Sequence, residues 1–193
     1  DKYSKYSVAA TEYCQMTDDK NTGVYDLIAK EKNGTNGTSI KYGVAMANTI
    51  VDDLTIMNAN EWDWWTACSY GTYTDGLIYL DEDNHENLDF SKRYYCLGNF
   101  SKFIKEGAVR VACSSGVKNV RSVAFVNEDN TVVTVYVNNN DKKAYTTIDC
   151  EGDYAVYTTD RDNDIAKTDF GKAKKVKVSL PASSVVTVVY EAK

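Results

Sequence analysis

Residues 94–111 read Tyr94-Tyr95-Cys96-Leu97-Gly98-Asn99-Phe100-Ser101-Lys102-Phe103-Ile104-Lys105-Glu106-Gly107-Ala108-Val109-Arg110-Val111, and the chain changes rhythm within them. Before the change, apolar positions fall at helical spacing. A helix from about residue 90 to residue 104 would bury Phe90, Tyr94, Leu97, Phe103 and Ile104, with Asp89 as its cap. Gly107 is placed to end it. From Ala108 onward the chain reads as strand after strand, with candidates at 109–113, 122–126, 131–137, 144–148, 154–158, 174–180 and 183–190. Alternation is clearest in Val176-Lys177-Val178-Ser179-Leu180 and Val133-Thr134-Val135-Tyr136-Val137. Turns rich in Asn and Asp separate the strands, and Pro181 sits between the last two, where it need not donate a ladder bond. This half is expected to form a small antiparallel β-sandwich.

Upstream the order is strand, helix, strand, helix. Val8-Ala9-Ala10-Thr11-Glu12-Tyr13 is a short strand-like run. After the turn Asn33-Gly34-Thr35-Asn36-Gly37-Thr38-Ser39, where Thr38 or Ser39 can cap, Ile40, Val44, Ala47, Val51 and Leu54 form a helical apolar stripe. Residues 56–67, rich in Trp, read as the second strand. Such an order demands a parallel sheet with right-handed crossovers, and two strands alone cannot bury both of their faces. The chain is therefore divided into an α/β part over residues 1–106, which needs strands from elsewhere, and an all-β part over residues 107–193.

Composition narrows the function. With 43% hydrophobic and 26% charged residues the chain is an ordinary globular protein, and a net charge of -6 argues against nucleic-acid binding, which rests on Lys and Arg neutralising phosphates. No run approaches the roughly eighteen apolar residues of a membrane span. The start Asp1-Lys2-Tyr3-Ser4 has no signal pattern, so either a signal was removed or the protein begins upstream. Five cysteines without a C-x-x-C pair and a single histidine, His85, cannot assemble a zinc set, and no metal or cofactor is expected. The cysteines read as unpaired small hydrophobes and His85 as part of a solvated loop, which leaves triad chemistry without a base. The sequons at Asn33, Asn36 and Asn99 are patterns common by chance.

Three segments, in order, resemble glycoside hydrolase family 30, whose members join a (β/α)8 barrel to a β-sandwich. Ala10-Thr11-Glu12-Tyr13-Cys14 is similar to the seventh barrel strand, which presents the nucleophile after a Thr or Ser. Asn60-Glu61-Trp62-Asp63-Trp64-Trp65-Thr66-Ala67 is similar to the Trp-rich eighth strand, and residues 94–111 to the family's helix end, Gly and Arg-containing strand. A fourth, weaker match is Leu180-Pro181-Ala182-Ser183-Ser184-Val185-Val186-Thr187. The resemblance implies the last two β/α units of a TIM barrel followed by the sandwich. It implies Glu12 as the nucleophile of a retaining β-glycosidase, at a strand end where barrel enzymes keep catalytic groups. By the period of two, Trp62 and Trp64 share a face and are the expected sugar platforms, joined by Tyr13 and Tyr70 at the mouth. Trp65, on the other face, is assigned to packing, and Asp63 to orienting the strand end.

The family's acid/base Glu, in an Asn-Glu-Pro setting on the fourth strand, has no counterpart here, and neither have the first six strands or the strand the sandwich borrows from before the barrel. The expected partners are thus a carbohydrate substrate and an upstream barrel segment, in the same or a separate chain, with secretion to the extracellular space. Within the family the substrates range over glucosylceramide, xylans and β-1,6-glucans. The alternative is a non-catalytic carbohydrate-binding or structural fragment.

Overall fold

The computed structural model describes residues 7–14, 39–70, 75–81 and 86–191; His85 and the Asn33 and Asn36 sequons lie outside them. β1 (Ala9–Tyr13) and β2 (Glu61–Trp64) run parallel, with Ala9 opposite Glu61, Ala10 opposite Trp62 and Tyr13 opposite Trp64. The register shifts between Ala10 and Tyr13, a bulge at Thr11–Glu12 that re-aims the strand end.

Between them lies α1 (Ile40–Asp52), whose Ser39 hydroxyl accepts from the Lys41 amide at 3.2 Å. The expected stripe residues Val44, Ala47 and Val51 are buried, but so are Tyr42, Met46 and Ile50, because the helix is covered on more than one side. α1 runs on into a wider π-turn, Asp53–Met57, closed by Asn58 at φ 58. The strand expected from residue 56 is consequently short, and Ile56 stands 80% exposed.

Where the sequence showed no strand between residue 67 and the second helix, a small sheet forms from β3 (Cys68–Tyr70), β4 (Ile78–Leu80) and β5 (Leu88–Phe90), with β3 parallel and β5 antiparallel to β4. Since residues 88–90 are strand, α2 spans only Lys92–Ser101, and its cap is Ser91, not Asp89. Its buried side carries Arg93, Cys96, Asn99 and Phe100; the expected Phe90 and Tyr94 are each 39% exposed.

The rest is one antiparallel sheet in the order β10-β9-β11-β8-β7-β6, made of β6 (Val109–Val111), β7 (Val120–Val126), β8 (Thr131–Asn138), β9 (Ala144–Thr159), β10 (Ala166–Leu180) and β11 (Ser184–Glu191). The expected strands 144–148 and 154–158 are one continuous β9. Only its second half pairs with β11, while its first half, paired with the end of β10, folds over the sheet. The bend falls at Gly152, whose φ of 119 suits only glycine, and at a register shift between Ala173 and Lys175. One sheet thus supplies both sandwich layers: Ile148, Cys150, Val176, Val178 and Leu180 pack on Tyr136, Val156, Val186 and Val188. On the opposite face Val123, Phe125, Val133, Val135, Val137 and Val185 meet α1 and α2 in one core that crosses the sequence boundary at 106/107. No helix among the described residues is long and apolar enough to cross a membrane.

Candidate active site

Four of the residues singled out in the sequence, Glu12, Tyr13, Trp62 and Trp64, lie on the β1–β2 pair. Successive strand residues point to opposite faces, and the register puts Ala10, Tyr13, Trp62 and Trp64 on one of them. That face is turned to the helices, since Trp62 and Trp64 are half-buried against the core that α1 and α2 share with the sheet. The two indoles stack with centroids 6.2 Å apart, and the Tyr13 ring lies 5.8 Å from each. Their polar edges are fastened: Trp62 Nε1 donates to Asp53 Oδ2 at 2.8 Å and Trp64 Nε1 to the Asp75 carbonyl at 2.6 Å.

Behind Trp64 sits Arg93, with no exposed surface. Its guanidinium carbon lies 4.9 Å from the Trp64 ring centre and 5.4 Å from that of Tyr42, and Nη2 donates to the Tyr79 hydroxyl at 2.9 Å. Burial lowers the Arg93 pKa, and the phenol of Tyr79 offsets part of that cost. The Cys14 thiol is held above its ordinary pKa by burial first and by Asp75 next.

Glu12 precedes Tyr13, so its side chain leaves β1 on the other, exposed face. Glu61 and Asp63 of β2 are exposed as well, and Trp65 follows them just past the end of the strand. Trp65 is 54% exposed; its amide donates to the Tyr13 carbonyl at 2.9 Å, continuing the parallel ladder past the end of β2. Tyr70, 41% exposed, stands on β3 of the small sheet that follows β2 in the chain. The small sheet is tied to this strand end through Asp75, whose carboxylate accepts from the Ser69 hydroxyl at 2.7 Å and whose carbonyl accepts from the Thr66 amide.

Of the residues singled out in the sequence, then, Tyr13, Trp62 and Trp64 come together beneath the strand pair, Glu12 stands on its open face, and Tyr70 is exposed on the small sheet. Trp65 and Arg93 were not read as site residues. The signal for Trp65 was the same alternation that paired Trp62 with Trp64; the sequence did not say which face the helices cover. A water-accessible carboxylate at a strand end can attack an electrophilic carbon. Among the described residues no cluster of three or more His, Cys, Asp or Glu could hold a metal ion.

Two family models match: O-glycosyl hydrolase family 30 over residues 5–79 and the glycosyl hydrolase family 30 beta sandwich domain over residues 107–188. Among solved structures, the chain is similar to a GH30 endoxylanase from Clostridium papyrosolvens C71, with 22% identity and a TM-score of 0.72, covering 96% of this chain and 42% of that one. It is similar to the subfamily 8 xylanase Xyn30A from Clostridium acetobutylicum, with 24% identity and a TM-score of 0.73 over 96% and 43% of the two chains. A conserved exported protein from Bacteroides fragilis matches with 26% identity and a TM-score of 0.74 over 96% and 39%. The chain spans about two fifths of the length of these structures.

Proposed function

The chain belongs to glycoside hydrolase family 30, and from that premise we propose that it supplies the nucleophile side of a retaining β-glycosidase acting on polysaccharide. β1 and β2 are the seventh and eighth strands of a (β/α)8 barrel completed by an upstream segment. The observation that carries this reading is the parallel pairing of β1 with β2, which leaves Glu12 exposed at the C-terminal end of its strand.

Glu12 attacks the anomeric carbon while a second carboxyl group, on the upstream segment and about 5–5.5 Å away, protonates the departing oxygen. The glycosyl ester on Glu12 is then hydrolysed by water, with the second group acting as base. Trp65, rather than the fastened Trp62 and Trp64, stacks against the sugar, because its ring is 54% exposed just past the end of β2 while theirs are half-buried. Trp62, Trp64 and Tyr13 form the floor that keeps the strand end rigid, and Tyr70 stands at the rim. Xylan is the first substrate to test, since several of the matched structures are xylanases. The match to an exported protein favours secretion.

The test is inactivation with a 2-fluoroglycoside in the presence of the upstream barrel segment, followed by mass spectrometry of the peptides. The label is expected on Glu12, and Glu12→Gln is expected to lower kcat on the order of 10³-fold. Label on another residue, or full turnover by Glu12→Gln, would remove the assignment.

A further inference from the structure

Arg93 is placed where stability alone would not put it. It stands in the first turn of α2, where the helix dipole disfavours a cation, and it has no exposed surface. An apolar side chain of similar length fills such a position without desolvating a charge, and exchanges of that kind are often neutral or stabilising. The guanidinium nevertheless gathers three elements: the Trp64 ring of β2 at 4.9 Å, the Tyr42 ring of α1 at 5.4 Å and the Tyr79 hydroxyl of β4 at 2.9 Å. Its neighbours fix where it starts from. The Ser91 hydroxyl donates to the Leu77 carbonyl at 2.8 Å just before β4, and Lys92 Nζ donates to Asp164 Oδ1 at 2.6 Å in the turn between β9 and β10.

The strand pair gives this clamp something to hold. Between the pairs Ala10–Trp62 and Tyr13–Trp64, β1 has two residues, Thr11 and Glu12, where β2 has only Asp63. Glu12 therefore sits in a bulge, where the ladder does not set the backbone, and the first regular pair after it is Tyr13 with Trp64. Trp64 is held at its edge by the Asp75 carbonyl, by the rings of Trp62 and Tyr13, and from behind by Arg93. A cation over a half-buried indole attracts it electrostatically, which a methionine of the same reach does not. The charge is felt on β1 as well: burial and then Asp75 push the Cys14 thiol up, and Arg93 draws it part of the way down.

We propose that Arg93 is a positioning residue for the nucleophile: by clamping Trp64 it fixes the strand pair just past the bulge and so holds the Glu12 carboxylate where it can reach the anomeric carbon. This role rests on the reading of Glu12 as the nucleophile of a retaining glycosidase. Arg93 touches no sugar, so it acts on the attack and not on substrate binding.

The experiment compares the full-length protein with its Arg93→Met and Arg93→Lys variants, using a 2-fluoroxyloside, whose rate of inactivation reads attack by Glu12 directly, and xylan for kcat and KM. Arg93→Met is expected to slow inactivation and lower kcat about tenfold or more, with KM within about twofold and the denaturant midpoint unchanged or raised. Arg93→Lys keeps the cation without the planar fork and is expected to recover part of the rate. In a Trp64→Leu background the further effect of Arg93→Met should shrink to about twofold or less, because the two side chains act as one unit. Label on Glu12 at an undiminished rate in Arg93→Met, equal rates for the Met and Lys variants, or effects of Arg93→Met and Trp64→Leu that multiply, overturns the positioning role and leaves the hydrolase reading standing. If Arg93→Met does not fold, Tyr79→Phe removes the hydroxyl at Nη2 with the ring kept in place: slower inactivation at constant KM supports the clamp, and an unchanged rate overturns it. No label on Glu12 in the unmodified protein removes the hydrolase reading and the positioning role with it.

Discussion

Trp62 and Trp65 stand three positions apart in one short stretch, and their surroundings give opposite expectations for the same kind of substitution. Trp62 has its indole nitrogen bonded to Asp53 and its ring against Trp64. Trp62→Phe keeps most of the ring but leaves Asp53 without that donor, and should cost about 1 kcal/mol of stability, read from the midpoint of denaturant unfolding. Trp65 is half open to water, so Trp65→Ala should change stability by less than about 1 kcal/mol yet lower kcat/KM about tenfold or more through lost stacking. A large loss of stability with unchanged kinetics would reverse the two roles. Asn99 shows the same dependence on surroundings: its sequon is intact in the sequence, but the side chain has no exposed surface and its amide is committed elsewhere. Alternation, which needs only neighbouring residues, was legible here. The covering of one face came from helices distant in sequence and was not.

Two close contacts between elements are sensitive to substitution. α1 and α2 meet at Gly43, where an added Cβ would lie 2.5 Å from Cys96 Sγ and 2.9 Å from the Lys92 carbonyl. The sulfur can shift but the backbone cannot, so Gly43→Val should cost about 2 kcal/mol or more, measured by thermal or denaturant unfolding. α2 is pinned to the sheet by Asn99: Nδ2 donates to Thr187 Oγ1 at 2.9 Å, Oδ1 accepts from Thr159 Oγ1 at 2.5 Å, and Thr187 Oγ1 donates back to the Asn99 carbonyl at 2.6 Å. Asn99→Leu strands buried hydroxyls and should destabilise by about 3 kcal/mol, whereas pairing it with Thr187→Val and Thr159→Val should recover part of the loss. The α1 stripe was readable from its spacing. The buried side of α2 was not, because polar Arg93 and Asn99 occupy it, and distant partners, Tyr79 for Arg93 and Thr159 and Thr187 for Asn99, make that burial tolerable.

At the scale of the molecule, β8 and β11 lie between two apolar layers, the helices on one side and the folded-over half of β9 and β10 on the other. Their residues from Val132 to Asn138 and from Ser184 to Val188 are all buried. Amide hydrogen exchange should therefore be slowest in β8 and β11 and fastest in β3 and β5, which are three residues long and mostly exposed. Equal protection in the two sheets would show that the small sheet is cooperative with the core rather than appended to it. A groove of about 730 Å³ lined by Leu54, Trp62, Phe100, Ile104, Val109 and Arg110 opens at the start of β2, away from Glu12.

By itself the sequence determined the alternation of strand and helix in the first part, the change to all-β in the second and the parallel direction of β1 and β2. Those properties follow from spacing along the chain, and spacing is local. Only the tertiary structure decided which face of β2 is covered by the helices and that one bent sheet makes both sandwich layers. Each of these is set by a segment arriving from far away in sequence to exclude water from one side of a strand, and no local pattern records which side that will be.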